Sequence, residues 1–412
     1  MRNIILIGNS NTHAAFIEEL RRHDKQSSIT LVSDDVHLPY RRQSVLQFLS
    51  GELKERQTHL RPDGFYKQNN VRVILGQPVA LVNFKRSQVV LENKEQLSYD
   101  VLVLSDVAAP RLPEIKGHNK LGVFNAVRLS AVKEIIDQLV FTQTVVVQLT
   151  TWHGFLTLCA LSNSNKEIVA VTSDDVLFPE ILDQESSSIL KQLLEYKGVR
   201  LMVNNPIEEI LGDSDLKAVR LKSGKVLSAE MVVLDDLRAD TRIFKEAGLE
   251  FSQTGSDPLN VRSQFPNVYW TDALRHAYAE TQGSDYQNCD DALERQGKTI
   301  AQNVQEIQEV VSDGNAIITK FSIKDIQGVC FGLPQTGEGA QAFSRFDPQT
   351  NTYMKIFTKE GIICAGILLN GDKAAEKIIE LYVHKTNVHG REETLLHDQV
   401  SQEVLADVQQ QG

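Results

Sequence analysis

Residues 3–35 read NIILIGNSNTHAAFIEELRRHDKQSSITLVSDD, and this stretch decides the fold. Ile4 to Ile7 form an apolar run that ends at Gly8, as a buried strand does on entering a tight turn. A helical stretch, a second apolar run from Ile29 to Val32 and the acidic pair Asp34–Asp35 follow. Strand, glycine turn, helix and strand make a βαβ unit, the arrangement that seats a diphosphate at a helix's amino end. In a GxGxxG turn the first glycine makes the bend and the second lets diphosphate approach the backbone. The third lets helix pack against strand. Gly8 keeps the first position, while Ser10 and His13 stand at the second and third. Ser10 is a mild change, because its hydroxyl can donate to a phosphate. His13 is a severe one, because an imidazole at a close-packing position requires the helix to move outward. Two readings of Gly8 stay open: a bare strand-to-helix turn, or a retained nucleotide seat.

The same pattern returns at residues 142–175, TQTVVVQLTTWHGFLTLCALSNSNKEIVAVTSDD. A repeat of a whole βαβ unit sets the architecture. Here the three glycine positions fall on Leu149, Thr151 and Gly154. A bulky apolar residue at the bend and a β-branched one at the diphosphate approach predict a packed helix start with no ligand. Between the units, residues 71–106 alternate apolar and polar positions in short runs, as a strand-rich insertion does. After the second unit, Leu190, Leu193 and Leu194 lie at helical spacing and Gly198 stops that helix. Ser223–Gly224 marks a hairpin, residues 286–311 are helical, and Glu360–Gly361 turns a second hairpin within 316–384. The expected class is α/β: two Rossmann-like βαβ domains plus a C-terminal α+β module. The expected boundaries are 1–112 with 237–315, then 113–236, then 316–388, then a helical tail at 389–412. In that tail Leu396, Val400, Val404 and Val408 recur every four residues. Such a stripe docks on its own body or on another subunit.

The 412 residues carry a net charge of −11, with 42% hydrophobic and 24% charged residues. An acidic chain argues against nucleic-acid or anionic-membrane partners, which call for basic surface. No apolar run is long enough to span a bilayer, and the short run after Met1 lacks the features of a signal peptide, so a cytoplasmic location is expected. Cys159, Cys289, Cys330 and Cys364 lie far apart. They are expected to be buried small hydrophobes, with no zinc or iron–sulfur spacing. The ten histidines form no metal-ligand spacing either.

Several further stretches occur in one order: HLPYRRQSVLQFLSGE, PRLPEIKG, FPEILDQESSSILKQLLEYKGVRL, EAGLEF, FPNVYWTDA and YMKIFTKEGIICAGILLNGD. In this order they resemble the pyridine nucleotide-disulfide oxidoreductase family, in particular its NAD(P)H reductases related to the nitrite reductase large subunit and to ferredoxin and rubredoxin reductases. The resemblance implies FAD in the first half, NAD(P)H in the second and hydride transfer between them. It also implies site residues. Asp34 stands where a ribose-binding acid belongs, with Asp35 beside it, and Arg42 matches the arginine of a PYSRP-like segment. Asp272, with a one-residue slip, matches the aspartate that bonds the ribityl chain.

The chain departs from the family's pattern at both turns and at both strand exits. Ser105–Asp106–Val107 replaces an Ala-Thr-Gly step, and Asp236 replaces the parallel glycine. A carboxylate there either repels a diphosphate or serves as a cap in solvent. Trp270 either fills flavin space or is a core aromatic. Residues 36–60 contain no cysteine, which excludes the redox-thiol chemistry of the disulfide reductases. From these departures the leading expectation is a cofactor-poor or cofactor-free relative, most simply with no cofactor. It would act as a structural or regulatory subunit of a redox complex, paired with a catalytic paralogue or as a homodimer, and with no catalytic residue of its own. The alternative is an active enzyme holding FAD through Gly8, Ser10, Asp34, Arg42 and Asp272 and exchanging electrons with a protein partner or NAD(P)H. A second alternative is a nucleotide sensor.

Overall fold

The computed structural model describes residues 1–105, 110–111, 115–179, 181–235, 238–239, 242–250, 261–271, 290–307, 318–332 and 339–397. In chain order the first βαβ unit is β1 (Asn3–Ile7), α1 (Asn11–His23) and β2 (Ser28–Val32). Then come α2 (Arg42–Leu49), β3 (Val71–Ile74), β4 (Val79–Asn83), β5 (Gln88–Leu91), β6 (Gln96–Ser98), β7 (Val101–Leu104) and α3 (Leu129–Leu139). The second unit is β8 (Thr144–Gln148), α4 (Trp152–Leu161) and β9 (Glu167–Val171). It continues with α5 (Gln184–Tyr196), β10 (Arg200–Met202), β11 (Ile207–Leu211), β12 (Ala218–Leu221), β13 (Val226–Ser228) and β14 (Met231–Val233). After them lie α6 (Arg242–Glu246), β15 (Val268–Trp270) and α7 (Asp290–Gln305). The last part holds β16 (Ile318–Ile323), β17 (Ile326–Gly332), β18 (Ala340–Asp347), β19 (Thr352–Lys359), β20 (Ile362–Leu369), α8 (Asp372–Val383) and α9 (Glu392–Leu395).

The chain divides into two compact units, Met1–Phe141 with Val233–Ser312, and Thr142–Val232 with Asp313–Gly412. In the first, a parallel sheet runs in the order β15-β7-β1-β2-β3. Side chains alternate across it. Ile4 and Leu6 point to the face covered by Phe16, Ile17 and Leu20 of α1 and Ile300 and Val304 of α7. Ile5 and Ile7 point to the other face, which the antiparallel β4-β5-β6 sheet covers with Val82, Val89 and Leu97, joined by Phe244 of α6. A strand buried on both faces explains the unbroken apolar run in the sequence.

α1 and α7 meet at a glycine. A Cβ on Gly297 would lie 2.2 Å from the Thr12 carbonyl oxygen and 3.0 Å from the Phe16 nitrogen. No side chain fits there, so the glycine sets the approach of the two helices.

In the second unit, β10-β9-β8-β14 forms a sheet in which β8, β9 and β10 are parallel. The β11-β12-β13 ribbon accompanies it, with Gly224 at φ +83° turning the hairpin expected there. The C-terminal module is an antiparallel sheet, β16-β17-β20-β19-β18, packed on α8. Its β19–β20 hairpin turns at Glu360 and Gly361, with φ of +56° and +77°. That is the two-residue turn with both positions left-handed, which the sequence placed at these residues. Leu395 and Leu396 of the tail join the module's core, so this part of the stripe docks within its own unit. Val400, Val404 and Val408 lie outside the described residues. Among the described residues no helix is long and apolar enough to cross a membrane.

Candidate functional site

The site grows from the turn between β1 and α1. Gly8 sits at φ +120°, a conformation closed to L side chains, and its amide donates to the Val32 carbonyl at 2.9 Å. Ser10 then takes the N-cap position in extended conformation, φ −138° and ψ 164°. A serine there ordinarily accepts a hydrogen bond from a first-turn amide, but this one makes no cap bond. Its hydroxyl instead donates to the Ser105 hydroxyl at 2.9 Å, just past the end of β7.

His13 completes the group. Its Nδ1 lies 3.2 Å from the Gly8 carbonyl oxygen and 3.5 Å from the Ser105 hydroxyl. Burial outweighs the hydrogen bonds to the Gly8 and Val103 carbonyls and pulls its pKa from 6.5 to about 4. The ring is therefore neutral at physiological pH. The Gly8 carbonyl and the Ser105 hydroxyl receive its Nδ1, while its buried Nε2 makes no hydrogen bond of ordinary geometry. The expected outward displacement of α1 does not follow, since Phe16, Ile17 and Leu20 of the same helix remain 0% exposed. The first turn of α1 carries no acidic side chain, and Arg21, Arg22 and His23 occupy its last turn. This charge order leaves an electropositive helix end, not capped by the Ser10 side chain, at the carboxyl edge of the sheet.

Around that end, the two aspartates after β2 have different partners. Asp34 pairs with Arg128 at 2.5 Å, both partly exposed. Asp35 is buried and accepts from the Tyr40 hydroxyl at 2.7 Å and the His37 amide at 2.9 Å. The Tyr40 hydroxyl in turn accepts from the Leu129 amide at 3.2 Å. Asp35 thus organises the loop and the start of α3. Of the other residues singled out in the sequence, Arg42 begins α2, with its side chain outside the described set, and Asp106, Asp236 and Asp272 also lie outside the described residues. Trp270 is a core aromatic, 3% exposed among Leu104, Phe244 and Val268, with its ring N–H donating to the Arg262 carbonyl at 3.2 Å.

The second turn is built differently. The Leu149 amide donates to the Val171 carbonyl at 2.8 Å, the counterpart of Gly8 and Val32, yet Leu149 keeps a negative φ. Thr151 is a working N-cap, its hydroxyl accepting from the Gly154 amide at 3.2 Å. Behind it Trp152 packs against Phe155, Phe178 and Phe321 at centroid distances of 4.8, 5.3 and 5.7 Å.

Ser105, Gly297 and Arg128 are contributors that sequence reasoning did not assign. Gly297 carried a local signal, an isolated glycine inside a helix, and Ser105 stood in the altered strand exit.

The chain has known relatives. The family model described as pyridine nucleotide-disulphide oxidoreductase matches residues 2–271. The chain is 22% identical over 411 residues to the nitrite reductase [NAD(P)H] of Bacillus subtilis, covering 98% of this chain and 50% of that protein. The chain spans about half the length of the curated relatives it first matches. In structure it superposes on the reductase of a covalent putidaredoxin reductase–putidaredoxin complex with a TM-score of 0.81, at 17% identity and with 99% of each chain covered. The NADH-bound water-forming NADH oxidase from Lactobacillus brevis gives a TM-score of 0.77, at 14% identity and with 100% of each chain covered. The match to a family defined by pyridine nucleotides overturns the expectation that the chain carries no cofactor. That expectation took each altered glycine as a lost contact, whereas at the first turn Ser10 and His13 are absorbed by Ser105 and by backbone carbonyls. Matched over more than half its length, the chain belongs to the pyridine nucleotide-disulphide oxidoreductase family.

Proposed function

We propose that this chain is a flavin-dependent oxidoreductase that moves electrons between NAD(P)H or a protein partner and an acceptor. The observation that carries the reading is the amino end of α1, where Gly8 bends the chain, the Ser10 side chain does not cap the helix and no carboxylate stands in the helix's own first turn. The Thr12 hydroxyl, fully buried in that turn, has no hydrogen-bond partner. These features fit the diphosphate of a dinucleotide. FAD, when bound, supplies a two-electron acceptor and donor.

The chain's own residues hold and orient it. Gly8 and Ser10 face the diphosphate. Asp34, engaged by Arg128 through one carboxylate oxygen, offers its second oxygen to a ribose hydroxyl. Arg42 and Asp272 are assigned to the same cleft from the resemblance. The flavin half is taken as 1–112 with 237–315, and the nicotinamide half as 113–236. The family match supports an enzyme over a cofactor-free subunit. A neighbour in fold that is seen in a covalent complex with putidaredoxin supports a protein partner.

The test is the visible spectrum of the purified chain. Flavin bands at about one per chain, as isolated or after reconstitution with FAD, are expected. Anaerobic NADH, NADPH or a reduced ferredoxin-type protein then bleaches them and names the donor. A colourless protein that gains no flavin on reconstitution refutes the reading.

A further inference from the structure

The second βαβ unit repeats the first in outline but not in what fills its turn. At the bend, where a diphosphate seat calls for glycine, Leu149 keeps a negative φ and buries its side chain to 1% exposure. Where a diphosphate would meet bare backbone stands Thr151, in extended conformation, φ −121° and ψ 164°. Its hydroxyl accepts from the Gly154 amide at 3.2 Å, so one of the first-turn donors that a phosphate oxygen would use is already engaged.

The same turn is held from behind. Trp152 and Phe155 of α4 pack with Phe178 and with Phe321 of β16 in one aromatic group, and none of the four is more than 6% exposed. Phe178 joins the group from left-handed backbone, φ +51°, a conformation that a bulky side chain adopts only at a cost. Packing thus overrides a local preference here. The start of α4 cannot swing aside for a ligand without opening a close-packed cluster.

We infer that the second βαβ unit takes no pyridine nucleotide at this turn, so that NAD(P)H is not the electron source for this chain. The inference rests on reading the chain as a flavoprotein, and it chooses between the two sources named above. The resemblance implies NAD(P)H in the second half, but the residues present do not fit it: a leucine fills the bend, a β-branched side chain stands at the diphosphate approach and a first-turn amide is capped. The unit serves instead as a platform, with β16 of the C-terminal module packed on α4 through Phe321. The source that remains is a reduced electron-transfer protein, which gives two electrons per flavin while the accompanying protons come from solvent.

Hydrogen exchange in the first turn of α4 reads this turn directly. In T151A the Gly154 amide exchanges about fivefold faster, the value of one cap. In the parent, NADH or NADPH at about 1 mM leaves exchange in that turn unchanged, and anaerobic titration of the flavin-loaded parent gives no saturable bleaching with either nucleotide. Gly154 exchange that does not change in T151A, slower exchange in that turn with nucleotide present, or bleaching that saturates below about 1 mM each overturns the inference. Should T151A not fold, the measurements on the parent decide. The exchange experiments need no flavin, so a parent that stays colourless refutes the flavin reading alone, and exchange with and without nucleotide still decides whether the second turn is closed.

Discussion

Replacing Gly297 by alanine tests how closely α1 is held against α7. Two effects oppose each other. Alanine gains about 1 kcal/mol of helix propensity over glycine in a helix interior. Against this, the new methyl would lie 2.2 Å from the Thr12 carbonyl oxygen and 3.0 Å from the Phe16 nitrogen. Carbon and oxygen in ordinary contact stay about 3.3 Å apart, so α1 and α7 must separate by roughly 1 Å along that line. Overpacking costs about 1–3 kcal/mol in general. The upper end applies here because both obstacles are backbone atoms of a helix, which no rotamer change can move aside. The net expectation is a loss of about 2 kcal/mol. For a unit of this size that lowers Tm by about 4–8 °C. Circular dichroism melts of G297A and parent at matched flavin content measure it, since bound ligand shifts Tm on its own. A variant as stable as the parent, or more stable, means propensity has won. The close contact inferred between α1 and α7 is then wrong.

Three further outcomes follow. His13 is buried and neutral, with a pKa of about 4 against 6.5 when free, so the unfolded chain takes up its proton first. Stability therefore falls as pH drops from about 6.5 toward 4, by roughly 3 kcal/mol in total; H13Q should lose this acid limb in denaturant titrations, and an unchanged limb refutes it. Lys355, nearly buried, pairs with Asp183 at 2.6 Å and also with Glu185. Burial opposes the charge on both Lys355 and Asp183, but their hydrogen bonds raise the lysine pKa and lower that of the aspartate. The aspartate's contribution is lost as pH falls through its depressed value, and the lysine's as pH rises through its elevated one. K355M should flatten both limbs and cost roughly 2 kcal/mol, less than a fully buried pair because both carboxylates reach solvent. Native alkylation followed by peptide mass spectrometry should leave Cys159 and Cys330 unmodified, since burial pushes both thiols well above their ordinary range. Rapid labelling of either would contradict the packing around them.

The fold was largely legible because its signals are local. Ile4 to Ile7 and Val145 to Val147 are apolar runs buried on both faces, and Glu360–Gly361 is a pair whose left-handed φ values allow one kind of turn. Gly8 announced the first bend for the same reason. What the sequence concealed is long-range. The acidic pair after β2 gave no hint that Asp34 meets Arg128 94 positions later, nor that Asp35 serves Tyr40 and the loop. A GxGxxG comparison scores each position alone, so it counted His13 as a clash. The clash disappears once the Gly8 carbonyl and Ser105 are known to receive the ring.

The two turns show why motif and site are separable. Ser10 and Thr151 are nearly interchangeable letters at the same position of a repeated unit, and both suit a helix cap. In one, the hydroxyl closes the helix end by accepting from Gly154. In the other it bonds to Ser105 and makes no cap bond to its own helix. Neither residue determines its own state; the strand that comes to lie beside it does. A substitution at a glycine motif therefore removes a ligand seat only when nothing across the sheet takes up the new side chain. At the first turn of this chain the Ser105 hydroxyl and the Gly8 carbonyl take it up.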